Sequence, residues 1–287
     1  MVRSYLCMAD KYASVWVSHS SIGDFLKCPR LYYLHNVYKD PKTRRKITVV
    51  NGSMSLGSAV HETLEALKEL PLEERLQRDL VADFERDWEK RASGKKGGFT
   101  DREEESRMKE RGRAMIERVI RHPGPIARKT VRLKKHQNDV VPNFYLSEEE
   151  ELILCGAIDW LEYVDEDDSI RVIDFKTGKN EEAGESLQLP IYVLLLEALQ
   201  KRAVSGAAYW YLEKDDEPKE MPLPTSEEAR ERVLAHARAI KEVRMNKSYA
   251  CPRGEEGCFA CRPYERILRG EGEYIGIAQY GQDGYLI

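Results

Sequence analysis

The sequence predicts a mixed α/β fold in which helices precede, cover and interrupt a small set of strands. Three observations predict it. Residues 55–121 carry apolar side chains at helical spacing. Residues 126–176 hold runs of β-formers broken by one acidic turn. From residue 187 to 245 the pattern reads helix, strand, helix. The 287 residues suffice for one large domain or two small ones with a sizeable core. With 41% hydrophobic and 33% charged residues, the chain reads as globular and not as a disordered polymer.

Taken in order, Ser20 or Ser21 caps a helix through Phe25 and Leu26 towards Tyr33. Leu56, Val60, Leu64 and Leu67 form one helical stripe, giving a helix over 55–70. Leu72, Leu76, Leu80, Phe84 and Trp88 form a second. A Gly- and Lys-rich loop (93–99) separates it from a third helix over 101–121, which His122-Pro123-Gly124-Pro125 stops. Short strands are expected at 126–136 and 141–146. Leu152 to Val164 and Ile170 to Lys176 read as two strands of a hairpin turning at residues 165–168. Leu187 to Gln200 reads as a helix, with Pro190 in its first turn where the missing N–H is tolerated. Ala203 to Leu212 is a strand, 213–225 a Pro-containing loop, and 226–245 a polar helix carrying Val233, Ile240 and Val243. There is no internal repeat and no low-complexity tract.

Charge is unevenly placed. The net charge of −4 gives no whole-chain argument for a polyanionic partner, so any such argument is local. Residues 126–136 hold five basic side chains and no acid, whereas 146–185 hold 14 acidic and three basic ones. An acidic centre flanked by basic stretches suits a site that holds cations and receives a polyanion. Ordinary solvated faces account for the same pattern. No apolar run approaches the roughly 18–20 residues of a membrane span, and the first residues lack the apolar segment of a secretory signal. A cytoplasmic location without membrane partners is expected.

The chemistry concentrates at a few positions. Asp174 and Lys176 share one face at the end of a strand, and Phe175 takes the other. Asp159 ends the run Gly156-Ala157-Ile158-Asp159 on the preceding strand, so a hairpin brings the two aspartates within reach of one ion. Facing carboxylates are costly without a cation, and hard oxygen ligands suit Mg²⁺ or Mn²⁺. A lysine beside them stabilises charge developing on a phosphate. A surface Asp/Lys pair would give the same tripeptide. His61 lies one turn after Gly57, at the edge of the apolar stripe. Gln188 and Tyr192 lie one turn apart at the start of the next helix. Taken singly, these three are explained by structural hydrogen bonding, capping and core packing.

Together, Gly57-x-x-x-His61, Gly156-x-x-Asp159, Asp174-x-Lys176 and Gln188-x-x-x-Tyr192 resemble the successive motifs of the PD-(D/E)XK nuclease superfamily. The RecB-like branch is the best match, with AddB-type nuclease domains and CRISPR-associated iron–sulfur exonucleases. The resemblance spans roughly residues 15–270. It implies a restriction-endonuclease-like core of helix, three strands, helix and strand. It also implies a metal-dependent DNA nuclease, with single-strand exonuclease action more than endonuclease action. His61, Asp159, Asp174 and the Phe175 carbonyl would be metal ligands. Lys176 would position or activate the attacking water, and Gln188 and Tyr192 would orient the site against the DNA backbone. Arg30, Arg132, Lys134 and Tyr192 would contact nucleic acid. Residues 51–70 and 126–245 would form the core, 71–125 a helical insertion, 1–50 a basic N-terminal segment and 246–287 a cysteine segment, all in one unit.

Cys251, Cys258 and Cys261 fall within eleven residues, which in a cytosolic chain points to a metal centre wanting a fourth ligand. The resemblance supplies Cys28 as that fourth and a 4Fe–4S cluster as the occupant, with zinc as the alternative. Joining Cys28 to Cys251 closes a long loop, but closure entropy grows only logarithmically with length. Cys7 and Cys155 match no motif, and Cys155 reads as a small buried apolar residue. Tyr32, Tyr33 and Tyr38 offer faces to unpaired bases, though their spacing also fits a packed helix face. The chain has no G-x-x-x-x-G-K-[ST] loop, so a helicase, recombination or CRISPR-adaptation partner would be a separate protein. Two other readings are an inactive nuclease-fold scaffold that binds nucleic acid and a zinc-stapled interaction module. The intact Asp159, Asp174 and Lys176 set argues against the first.

Overall fold

A four-stranded sheet stands between two helical layers in the computed structural model, which describes residues 13–133, 141–182 and 184–287. The first part runs β1 (Val15–Val17), α1 (His19–Lys27), the single turn α2 (Pro29–Tyr32), a wider turn over Tyr33–Val37 and β2 (Ile47–Val49). Ser18, not Ser20 or Ser21, caps α1, because its hydroxyl accepts the Ser21 N–H while the Ser21 hydroxyl accepts the Ser18 N–H. The helix expected to continue to Tyr33 breaks at Cys28, whose backbone is extended and precedes Pro29.

Helix α3 (Gly52–Glu65) starts where the Asn51 side chain accepts the Met54 N–H. Its stripe is buried as expected, with Leu56, Val60 and Leu64 all inside. The second stripe, from Leu72 to Trp88, is two helices. α4 (Leu72–Arg75) ends, Leu76 turns out to 56% exposure, and α5 (Leu80–Arg91) begins afresh. The break belongs to Asp79, whose carboxylate accepts the Ala82 N–H and caps α5. Asp79→Ala is expected to cost about 1 kcal/mol, read as a lower urea midpoint at unchanged slope. α6 (Arg102–Arg121) follows Asp101, its cap, and stops at the predicted Pro-Gly segment.

The remaining elements are β3 (Asn143–Ser147), β4 (Leu152–Cys155), β5 (Trp160–Val164), β6 (Ser169–Lys176), α7 (Gln188–Leu199), β7 (Val204–Tyr211), β8 (Lys219–Met221), α8 (Ser226–Asn246), α9 (Arg262–Leu268), β9 (Glu273–Ile277) and β10 (Asp283–Leu286). The central sheet has the order β5-β6-β7-β8. β5 and β6 form the predicted hairpin, with Trp160 opposite Ile173. α7 carries the chain over to β7, which runs parallel to β6. The expected strand 152–164 divides at Gly156, and its first half joins β1 and β3 in a second sheet. No strand forms over 126–133. That stretch lies along β5, where the Val131 N–H donates to Leu161 and the Tyr163 N–H to Lys129, and Thr130 makes an isolated bridge. Residues 134–136 are outside the described residues. The loop 213–225 contains the short edge strand β8.

Strand alternation splits the core in two. Leu161, Val172, Tyr209 and Tyr211 face α7 and the Val233–Ala237–Ile240 stripe of α8. Trp160, Ile173, Phe175 and Trp210 face Leu56, Phe84, Trp88 and Ile116 of the first helices. The third sheet, β2-β10-β9, pairs β2 in parallel with β10, Ile47 against Asp283. Asp283 is fully buried and accepts hydrogen bonds from Arg45 Nε (2.8 Å) and the Thr43 hydroxyl. Among the described residues, no helix is long and apolar enough to cross a membrane.

Candidate active site

The end of β6 and the start of α7 build one side of the site. Alternation turns Asp174 and Lys176 towards α7 and sends the Phe175 ring into the opposite core. Tyr192 donates its hydroxyl proton to Asp174 Oδ1 (2.6 Å), and Gln188 Nε2, one turn earlier, donates to the same oxygen (2.5 Å). Lys176 Nζ lies 3.0 Å from Asp174 Oδ2 and 3.0 Å from a Glu182 carboxylate oxygen, and it donates to Gln188 Oε1. It also stands 4.7 Å above the Tyr209 ring.

The other side comes from α3 and the residue before β5. Continuing the β5–β6 register places Asp159 opposite Asp174. Asp159 Oδ2 accepts the Phe175 N–H (2.9 Å), and its Oδ1 lies 3.5 Å from His61 Nδ1. Glu65, one turn after His61 on the same helix face, brings Oε1 to 3.5 Å from that ring nitrogen. Gly57 lets α3 approach closely, since a Cβ there would meet the Thr177 hydroxyl at 3.2 Å.

These groups perturb one another. Burial first, and the neighbouring Asp159 charge second, push Asp174 up to about 7, against the pull of Lys176 and Tyr192. Burial also opposes ionisation of Asp159, but His61, the Phe175 N–H and Lys68 outweigh it and hold that carboxyl below its ordinary value. Burial would neutralise His61, yet Asp159, Glu65 and Asp174 keep it protonated well above the usual range. The arrangement is short of positive charge. The ligand atoms of His61, Glu65 and Asp159 all lie within 4.8 Å of one another, a donor set that fits a divalent cation. Asp174 stands beside that group with its oxygens already engaged. The ligand group opens onto a cleft of about 890 Å³ that Lys68, Arg132 and Tyr280 also line.

A second cluster lies apart from the carboxylates. The sulfur atoms of Cys28, Cys251, Cys258 and Cys261 are within 4.8 Å of one another, and Cys258 and Cys261 are 3.8 Å apart. Gly257 is required here. Its φ is +73°, and a Cβ would come within 2.9 Å of Cys261 Sγ. Cys258 titrates at about 7: burial opposes ionisation, but the N–H groups of Cys261 and Ala260 and the adjacent thiols outweigh it. The same burial pushes Cys261 up to about 12. Four thiols gathered this closely suit a metal-binding set.

The sequence-derived residues thus fall into separate places. His61, Asp159, Asp174, Lys176, Gln188 and Tyr192 come together, with Phe175 contributing its N–H. Arg132 borders the cleft, donating to the Lys68 carbonyl (2.8 Å) and pairing with Glu69 (2.9 Å). Arg30 sits by the cysteines, bonded to Glu265 (2.5 Å) and 5.6 Å over Tyr33. Lys134 and Cys7 are outside the described residues. Tyr32 is buried in the core, and Tyr33 packs on Tyr249 at 4.6 Å. Cys155 is partly buried on its own, its thiol donating to Val17 O and pushed up to about 11 by burial. Sequence reasoning missed Glu65 and Glu182. The first had a signal, the i, i+4 spacing from His61. The second, in a loop, had none.

The sequence model of the PD-(D/E)XK nuclease superfamily matches residues 16–266. Among curated proteins, none matches the chain.

Proposed function

The chain belongs to the PD-(D/E)XK nuclease superfamily, whose substrate is nucleic acid, and from that premise we propose a metal-dependent deoxyribonuclease of the RecB-like branch, acting as a single-strand exonuclease. The observation that carries the reading is the buried Asp174 opposite Asp159, a pair of carboxylates that only a proton or a cation makes tolerable. His61, Glu65, Asp159 and Asp174 would hold Mg²⁺ or Mn²⁺. Such an ion, when bound, supplies neutralising charge at the scissile phosphate and acidifies water.

The protein's own residues do the rest. Tyr192 and Gln188 fix the Asp174 carboxylate in one orientation, and the Phe175 N–H fixes Asp159. Lys176, held between Asp174 and Glu182, keeps its proton because these carboxylates outweigh its burial. It therefore offers a permanent cation where charge develops on the phosphate. Lys68 and Arg132 on the cleft wall meet backbone phosphates without reading sequence. Residues 71–125 are an insertion that packs on the core.

Cys28, Cys251, Cys258 and Cys261 would bind an iron–sulfur cluster that staples the two ends of the chain. Zinc is the second reading, because four thiols gathered within 4.8 Å of one another also suit a single ion. Iron, sulfide and zinc content of anaerobically purified protein separates the two.

The activity is tested by a time course on single-stranded DNA labelled at either end, with Mg²⁺ or Mn²⁺ and with EDTA. Metal-dependent release of label from one end first is the expected result. A folded, metal-supplied sample that cuts neither single- nor double-stranded DNA overturns the reading in favour of a nucleic-acid-binding scaffold.

A further inference from the structure

Tyr280 sits at the tip between β9 and β10 with φ 59° and ψ 20°. That left-handed region disfavours any residue with a bulky side chain. The residue nevertheless stays 72% exposed. A strained backbone that presents an aromatic ring to solvent is a feature to be explained by what the ring faces.

It faces the cleft that holds His61, Glu65 and Asp159. The tip is tied to that wall, since the Ser58 hydroxyl on α3 donates to Gln279 Oε1 (3.3 Å). An exposed ring on that wall offers a nucleic-acid ligand its flat face.

The geometry points to Tyr280 as a base-stacking residue that takes the face of an unpaired nucleobase beside the phosphate in the catalytic cleft. This rests on the nuclease reading and sharpens it. A base within a duplex has no free face to offer, so the stack selects single-stranded DNA and sets the register of the strand. The tip also has a firm base: α9, whose N-cap is Cys261, leads into β9, and β10 pairs with β2.

Two variants test it. Tyr280→Gly removes the ring and suits the left-handed backbone, so its melting temperature stays at or above that of wild type. Tyr280→Phe keeps the ring and loses the hydroxyl. Single-stranded DNA carrying 2-aminopurine near one end reports stacking as quenched emission, with binding measured in EDTA and cleavage in Mn²⁺. Expected are quenching by wild type and Tyr280→Phe, loss of quenching in Tyr280→Gly, and a rise of about tenfold in its Kd and KM, with kcat at saturation little changed. Wild-type cleavage with equal quenching and affinity in Tyr280→Gly overturns the stacking role and leaves the nuclease standing. Tyr280→Phe behaving like Tyr280→Gly overturns it too, because the hydroxyl would then be the working part. A folded wild type that neither binds nor cuts single-stranded DNA removes both readings.

Discussion

Asp174→Asn is expected to lower single-turnover cleavage on the order of a thousandfold while the protein stays folded. The same substitution should change how the metal-free protein responds to pH. Asp174 has a folded-state value of about 7, against roughly 4 when unfolded. Between those values the native state holds the proton more tightly than the unfolded chain, so stability falls as pH rises from about 4 to about 7. Above that window both states are ionised and the loss is complete. Wild type without metal should therefore melt lower at pH 8 than at pH 5, relative to Asp174→Asn, which has no proton to lose. Saturating Mn²⁺ should restore wild type at pH 8 and raise the variant less, since a ligand of the native state stabilises it by mass action and the variant keeps fewer of the proposed ligands. Thermal melts of both proteins at two pH values, with and without Mn²⁺, read all of this. A variant that cleaves like wild type removes Asp174 from the site.

With the proposed metal at the four cysteines, Cys258→Ser should release it and cost on the order of 5 kcal/mol of stability, because binding to a set that exists only in the folded protein is folding free energy. The four sulfurs gather between α2, reached from Cys28, and the segment leading into α9. Losing one weakens the hold of both on the β2-β10-β9 sheet. The expected fall in melting temperature is about 10 °C or more for a chain of this size. Metal analysis and melting on the same sample check it. Unchanged metal content removes Cys258 from the ligand set. Cys155→Ser is the contrasting control, since that thiol bonds only to a backbone carbonyl and should leave the metal in place.

Much of the fold was legible because the long elements keep one period over many residues. α3, α6, α7, α8 and the β5–β6 hairpin all announce themselves by spacing. The misreadings have physical causes. Leu72 to Trp88 keeps a helical period through a break that Asp79 makes by capping, and Ser18 outcompetes Ser20 and Ser21 through a reciprocal bond with the Ser21 side chain. Leu152 to Val164 is uniformly β-forming, yet Gly156 fits against Leu195 and lets its halves join different sheets. β1, β2 and β8 are three residues each, too short to show alternation. β9 and β10 depend on β2, more than 220 positions away, and no local pattern records such a pairing. The site was legible where motif residues share a strand or a helix face, as Asp174 with Lys176 and Gln188 with Tyr192. Glu65 was overlooked because a charged residue on a solvated helix looks ordinary until a fold brings Asp159 to it. Tyr280 was overlooked because its significance lies in a backbone angle.

The parallel pairing of β2 with β10 has a consequence for the newly made chain. Translation delivers the N-terminal part first, and α3, with His61 and Glu65, follows immediately after β2. β2 has no sheet partner until residues 283–286 emerge. Until then, His61 and Glu65 ride on a helix whose leading strand is unpaired among the described residues. A polypeptide cut short by a stalled ribosome or an early stop codon lacks that anchor altogether. The seating of the strand that leads into α3 is thus settled only when β10 is in place, although α3 itself is also held by α5 and α6.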